Sequence, residues 1–181
     1  MSPDQTTRTS KFLSLVLRHQ PETAHITLDS AGWTDVDELL RGCTQARRSI
    51  TRDQLQHIVD TNAKRRFEFS ADGKRIRASQ GHSVEVDLAY EPQAPPELLY
   101  HGTATRFLDS IREQGLIKGQ RHHVHLAAET KVTLQVGARH GKPVLLTILA
   151  SAMRAAGHTF YCSTNGVWLV EHVPPEFVRF P

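Results

Sequence analysis

Four short strings gather the side chains best suited to gripping an anion or moving a proton. They are Leu17-Arg18-His19-Gln20-Pro21, Lys64-Arg65-Arg66-Phe67, Ile76-Arg77-Ala78-Ser79-Gln80-Gly81-His82-Ser83 and Arg121-His122-His123-Val124-His125-Leu126. Each sets arginine beside histidine, lysine or a nearby glycine. In the first, Arg-His stands just before a proline stop, which places the pair in the last turn of a helix, where positive charge complements the helix dipole. Taken singly, each arginine reads as a surface charge.

Several other chemistries drop out. The chain has no G-x-x-x-x-G-K-[ST] phosphate loop, no G-x-G-x-x-G and no G-x-S-x-G elbow. His122-His123-Val124-His125 is the densest part of a set of eleven histidines, but no carboxylate or cysteine nearby completes a familiar ligand spacing. We read it as an edge strand with exposed imidazoles and assign no metal. Cys43 and Cys162 lie far apart in sequence and form no C-x-x-C pair.

Charge is distributed unevenly. The net charge is only +3, yet between Arg41 and Arg77 ten basic residues face four acidic ones. Such a run makes a local positive field that attracts phosphates, or simply a solvated charged surface. A hydrophobic fraction of 39% supports a packed core in a chain of 181 residues, enough for one large domain or two small ones. No apolar stretch approaches the ~20 residues that span a bilayer. The first ten residues hold no signal-like apolar run, so the expectation is a soluble cytoplasmic protein.

The elements that must position these strings fall into two groups. Ser10 is a candidate N-cap for a first helix carrying Phe12, Leu13, Val16 and Leu17, with Pro21 as its stop. Ile26–Leu28 reads as a short extended piece. Asp35 with Glu38 and Thr51 with Gln54 read as capping boxes for two more helices. Alternation on both sides of Asp72-Gly73 predicts a β-hairpin. Three helices followed by a hairpin describe a winged-helix lobe, assigned to residues 1–90.

Glu91-Pro92-Gln93-Ala94-Pro95-Pro96 reads as a connector without periodicity. Beyond it, in a second lobe over residues 97–181, strands are expected at Leu98–His101, Val124–Leu126 and Val144–Leu149. Helices are expected around Phe107–Ile111, with Gly115 at its end, and over Thr130–His140. Phe160–Ser163 and Val167–Val170 flank Asn165-Gly166, a second hairpin turn. The apolar strand around Trp168 makes that residue part of a core. The fold class is α+β.

The four strings, taken in order, resemble the RNA 2′-phosphotransferase family. The resemblance runs over nearly the whole chain and continues through Tyr100-His101-Gly102-Thr103, Gln114-Gly115-Leu116, Gly137-Ala138-Arg139-His140-Gly141 and the stretch from Phe160 to Leu169. It implies a winged-helix lobe that binds RNA, joined to an NAD-binding lobe of the ADP-ribosyltransferase type. It also implies an active-site set of Arg18, His19, Arg66 and Arg121. Cofactor contacts carry over onto His101, Gly102 and Thr103, with Asn165 and Gly166 beside them. Arg66 rather than Arg65 is chosen because it directly precedes Phe67, as in the family pattern.

The expected partners are RNA carrying a 2′-phosphate and NAD⁺, consumed as co-substrate, with no membrane and no obligatory protein partner. The family acts in tRNA splicing in some organisms. Its reaction has two steps. The RNA 2′-phosphate attacks the anomeric carbon of the NAD⁺ ribose and expels nicotinamide, giving an RNA 2′-phospho-ADP-ribose. The 2″-hydroxyl then attacks phosphorus, releasing 2′-OH RNA and ADP-ribose 1″,2″-cyclic phosphate. The residue types suit this, since a phosphate dianion needs orienting rather than deprotonating, and guanidinium forks orient it. His19 is the one member of the set able to exchange a proton near neutral pH.

Overall fold

A computed structural model of the chain describes residues 2–130 and 142–181. The helix expected over Thr130–His140, save its first residue, and the Gly137-to-Gly141 string lie outside the described residues. The chain divides into two compact units, Met1–Ala89 and Tyr90–Pro181. The Pro-rich stretch belongs with the second: Pro92 bridges Tyr161, and Gln93 N donates to Phe160 O at 2.8 Å. Proline cannot donate to a ladder, but the residues between prolines still can.

In the first unit, helix α1 spans Pro3–Val16. It starts at Ser2, not at Ser10 as expected. Ser2 and Gln5 form a complete capping box, with Pro3 in the first turn where its missing N–H costs nothing. Ser10 instead lies inside the helix and receives the Asn62 amide at 3.4 Å. A short 3₁₀ turn, Pro21–Ala24, follows. Strand β1 is Thr34–Asp35, α2 Val36–Gln45, α3 Arg52–Thr61, β2 Phe67–Phe69 and β3 Arg75–Ala78. The expected extended piece at Ile26–Leu28 joins no strand ladder among the described residues. Asp29 Oδ1 accepts from Ala31 N and Trp33 N, and this turn brings Thr34 and Asp35, rather than Ile26, against β3.

The sheet order is β1-β3-β2, all antiparallel, with Phe67 opposite Ala78 and Thr34 opposite Ile76. Gly73 takes φ 69° in the hairpin turn, as the Asp-Gly pair predicts. Thr51 and Gln54 complete their box, whereas Asp35 makes only half of one. The Glu38 carboxylate turns instead to Thr27 N. Apolar faces of all three helices meet the hairpin in one core, including Leu13, Leu17, Leu39, Leu55, Ile58 and Ile76. Cys43 belongs to that core, and burial pushes its thiol up to about 11, so it packs as a small hydrophobe.

Part of the basic run is spent inside this unit. Arg77 lies over the Trp33 ring at 4.5 Å and pairs with Glu68 at 2.7 Å, while Arg75 covers the same ring at 5.5 Å and meets Asp29. Arg52 reaches from α3 to Gly73 O and lies over Phe69. These cations fasten the hairpin to the rest of the unit.

The second unit is strand-rich. It comprises β4 Leu99–Ala104, α4 Leu108–Gln114, β5 Leu116–Ile117, β6 Val124–Leu126, β7 Pro143–Ile148, α5 Ala150–Ala155, β8 Phe160–Cys162, β9 Trp168–Val170, β10 His172–Val173 and β11 Val178–Arg179. One sheet runs β11-β7-β4 and another β6-β9-β8, with β5 and β10 as a separate pair. Tyr100 and Ala127 exchange backbone hydrogen bonds at 2.8 and 2.9 Å, which hinges β4 to the chain just after β6. Leu126, Leu146, Ile148, Met153 and Phe160 fill its core, and Trp168 packs half-buried against it. The whole is α+β, built from small antiparallel sheets.

Gly42 sits where α2 crosses the 3₁₀ turn, and a Cβ there would lie 1.8 Å from Ala24 O. Gly42→Ala should therefore force the two segments apart and cost roughly 1–3 kcal/mol, the usual toll of overpacking. Urea unfolding measures it, and an unchanged midpoint would mean that the crossing has slack.

Candidate active site

Arg18 and His19 follow the C-cap Leu17 directly, one step beyond the last turn in which they were expected. His19 N still donates to Leu15 O at 2.9 Å, so the pair keeps a helix-end geometry. Arg18 O accepts from Ser83 N at 2.9 Å and Val84 N at 3.3 Å. His19 Nδ1 lies 2.9 Å from Ser83 Oγ.

Arg66 arrives from the segment between α3 and β2. Asn62, the residue after α3, uses one side-chain oxygen twice: it accepts from Lys64 N at 3.1 Å and Arg66 Nη1 at 3.2 Å. Arg65 takes a left-handed conformation, φ 42°, and is exposed, whereas Arg66 is half-buried. Arg66 O accepts from Ser79 N at 3.0 Å and from Arg18 Nη2 at 3.4 Å. Arg18 and Arg66, 48 residues apart, are thus in direct contact, with His19 beside them.

In the second unit, His101 Nδ1 lies 3.0 Å from His125 O. A carbonyl only accepts, so Nδ1 carries the proton, and in the neutral ring Nε2 is an acceptor. Arg121 Nη1 lies 3.2 Å from His125 Nδ1. Guanidinium only donates, so that Nδ1 is an acceptor. His125 therefore touches both Arg121 and His101. Arg121 has no carboxylate within ion-pair distance among the described residues. It reaches solvent, yet the surrounding protein withdraws enough water to push its pKa below the ordinary arginine value.

His101 and Thr103 point to the same side of β4, two residues apart, with Gly102 between them opposite Leu145. Asn165 and Gly166 form the β8–β9 turn, where Gly166 takes φ 78° and Ser163 Oγ donates to Asn165 Oδ1 at 2.6 Å. Leu126 opposite Trp168 puts that turn at the end of the sheet where Ala127 meets Tyr100.

β6 is the edge strand of its sheet, as expected, but the imidazoles around it are not exposed. His122, His123 and His125 are half-buried. His123 meets the Tyr161 ring edge-on at 5.5 Å while His125 takes Arg121. Among the described residues no three His, Cys, Asp or Glu side chains come together as a metal-holding group. Sequence reading missed Asn62 and the positioning parts of Ser79 and His125, which stand in the quoted strings. Of these, only Asn62 carries a signal, as an Asn just beyond a helical pattern.

Guanidinium forks backed by fixed acceptors, beside imidazoles of settled orientation, are the equipment of a protein that grips phosphate esters. Residues 4–172 match the model of the family described as RNA 2′-phosphotransferase, Tpt1 / KptA family. The chain belongs to that family. It is 57% identical over 172 residues to a probable RNA 2′-phosphotransferase of Pseudomonas aeruginosa strain PAO1, covering 94% of each chain. A probable RNA 2′-phosphotransferase of Nostoc punctiforme is 51% identical over 179 residues, 99% of each chain. One from Hahella chejuensis is 53% identical over 169 residues, 93% of this chain and 91% of its own.

Burial pushes the His101 pKa below the ordinary imidazole value; the His125 carbonyl opposes this and the Arg121 charge adds to it. A depressed folded-state pKa stabilises the fold fully above the free-histidine range, and that contribution is lost as pH falls through the folded value. Stability in urea should therefore drop between about pH 7.5 and 5.5, which straddles the free value. His101→Gln should shrink the drop without abolishing it, because His123 is also pushed down by burial. A steeper drop in the variant would refute the assignment.

Proposed function

We propose that this protein removes a 2′-phosphate from RNA by transferring it to NAD⁺, releasing 2′-OH RNA, nicotinamide and ADP-ribose 1″,2″-cyclic phosphate. Membership of the family supports the phosphotransfer. The observation that carries the NAD⁺ part is His125, which bonds both Arg121 and His101 and so ties a phosphate-type group to a cofactor-type group. In this reading the first unit is a winged-helix lobe for RNA, the second is an ADP-ribosyltransferase-like lobe, and the enzyme works in the cytoplasm. No helix among the described residues is long and apolar enough to cross a membrane.

The residues of the second unit suit NAD⁺. With its proton on Nδ1, neutral His101 offers Nε2 as an acceptor for a ribose hydroxyl. Gly102 beside it lets backbone approach a ligand closely. Thr103, on the same strand face, and Asn165 with Gly166, at the sheet end nearest the Tyr100 bridge, complete the proposed contacts.

Arg18, His19, Arg66 and Arg121 are assigned to the transferred phosphate. In the first step the phosphate oxygen is the nucleophile and needs no base, since its second pKa lies near ~6. The arginines orient it against the anomeric carbon. In the second step the 2″-hydroxyl attacks phosphorus and the RNA 2′-oxygen leaves, so charge builds on phosphoryl oxygens that guanidinium N–H groups stabilise. A proton must leave the attacking hydroxyl and reach the departing 2′-oxygen, and His19 is the group in the set able to handle it.

Incubating the protein with 2′-phosphorylated RNA, with and without NAD⁺ and in the presence of a chelator, tests the reading. Dephosphorylation should need NAD⁺ and persist in the chelator. Loss on chelation with rescue by zinc would overturn the metal-free assignment of His122, His123 and His125.

The two steps should separate on mutation. Nicotinamide is a good neutral leaving group, so the first step should tolerate a missing arginine better than the second, which expels an alkoxide. Removing one oxyanion donor costs ~10²–10³ in rate in comparable sites. Arg66→Ala or Arg121→Ala should therefore accumulate RNA 2′-phospho-ADP-ribose, seen as a slower band on a gel. Lysine should rescue only partly, lacking the two-pronged donor. Falling activity without any adduct in either variant would defeat this division.

A further inference from the structure

We propose that Ser83 is a positioning residue for His19, holding its ring through Nδ1 so that Nε2 is the nitrogen that meets the transferred phosphate. The inference rests on the reading of His19 given above. Its basis is a strap, residues 79–84, tied down at both ends. At one end Ser79 N donates to Arg66 O at 3.0 Å and Ser79 Oγ to Arg65 O at 2.8 Å. At the other, Ser83 N and Val84 N donate to Arg18 O at 2.9 and 3.3 Å. Between them Gly81 turns the chain with φ 86° and His82 is buried. The strap therefore fixes the Ser83 Cα relative to the Arg18–His19 backbone without using the Ser83 side chain.

The Ser83 hydroxyl is then left for one task, at 2.9 Å from His19 Nδ1. Its chemistry matters. A hydroxyl is both donor and acceptor and can rotate, whereas a carbonyl can only accept. If Nδ1 carries the proton, Ser83 Oγ accepts it and Nε2 is an acceptor. If Nε2 carries the proton, Ser83 Oγ–H donates to Nδ1 and Nε2–H can donate to a phosphate oxygen. When the ring gains a proton at Nε2, the Nδ1–H···Oγ bond persists. When the ring gains it at Nδ1, the hydroxyl turns from donor to acceptor. In every state the ring plane is held while Nε2 changes role. A partner of this kind suits a histidine that takes a proton at one stage and gives it at another.

Removing a hydrogen-bond partner that orients a metal-ligating histidine costs on the order of 10- to 100-fold in affinity or activity, and a histidine that meets a phosphate depends on its ring orientation in the same way. Ser83→Ala should lower kcat by about that factor, with a smaller effect on KM for RNA. Ring ¹⁵N NMR of His19 should show the Nδ1 resonance moving in Ser83→Ala and returning in Ser83→Thr, together with activity. Because the strap's ties are made by backbone and by Ser79, the alanine variant should keep the wild-type urea midpoint.

A double-mutant cycle distinguishes positioning from general damage: in a His19→Ala background, Ser83→Ala should add no further loss. If it adds its full loss there, Ser83 acts by another route and the proposal is wrong. If His19→Ala is inactive while Ser83→Ala keeps wild-type kcat and an unmoved Nδ1 resonance, the positioning role falls and the reading of His19 stands. If His19→Ala keeps full activity, the reading of His19 falls and the positioning role falls with it.

Discussion

Arg66 O accepts two hydrogen bonds, one from Ser79 N and one from Arg18 Nη2, and the first unit's chemistry is organised around that oxygen. An arginine side chain has much rotamer freedom to lose, and a phosphate would have to order it on each encounter unless the protein does so first. Here one N–H of Arg18 is given to Arg66 O and one of Arg66 to Asn62 Oδ1. Each guanidinium has five donors, so giving one to a fixed acceptor orients the fork without using all of them. Neutral acceptors make better anchors than carboxylates would, because they orient a guanidinium without neutralising it.

The same economy explains why part of the basic run is structural. Arg75 and Arg77 cover Trp33, and Arg77 meets Glu68. Their charge is answered by a ring face or a carboxylate, which leaves them poorly suited to hold an incoming phosphate. Arg66 belongs to the same stretch of sequence and is held quite differently, by an amide oxygen. Charge density along the chain cannot tell these fates apart, because Trp33 and Asp29 lie outside the run and Asn62, inside it, is uncharged.

What could be read from the sequence was what local rules decide. Asp72-Gly73 and Asn165-Gly166 needed left-handed residues at fixed places and obtained them at Gly73 and Gly166. Thr51 and Gln54 closed a box within four residues. The misreadings were competitions between signals. Ser10 precedes the apolar stripe of α1, but Ser2-Pro3-Asp4-Gln5 is the stronger start and lies a helical stretch earlier. Glu38 was within reach of Asp35 and was drawn off by Thr27 N. In the candidate site, the motif strings named candidate residues, but not that Ser83 lies on His19 or that His125 joins Arg121 to His101. Those contacts span 64 and 24 residues and depend on where the strap and the β4–β6 hinge lie, which no local pattern encodes.

The two histidines of the proposed reaction show how a partner can set a role. His101 gives its Nδ1 proton to a carbonyl, and burial and the Arg121 charge both disfavour a second proton. Such a ring is locked as an Nε2 acceptor, which serves recognition of a hydroxyl and makes a poor proton carrier. His19 is exposed and faces a hydroxyl, which tolerates either tautomer and either charge. Exchanging the partners would exchange the capacities: a carbonyl at His19 would fix Nδ1–H, and a hydroxyl at His101 would let Nε2 become a donor and lose its acceptor. In the proposed reaction, a division between a histidine that binds and a histidine that moves a proton would follow from the oxygen each one faces.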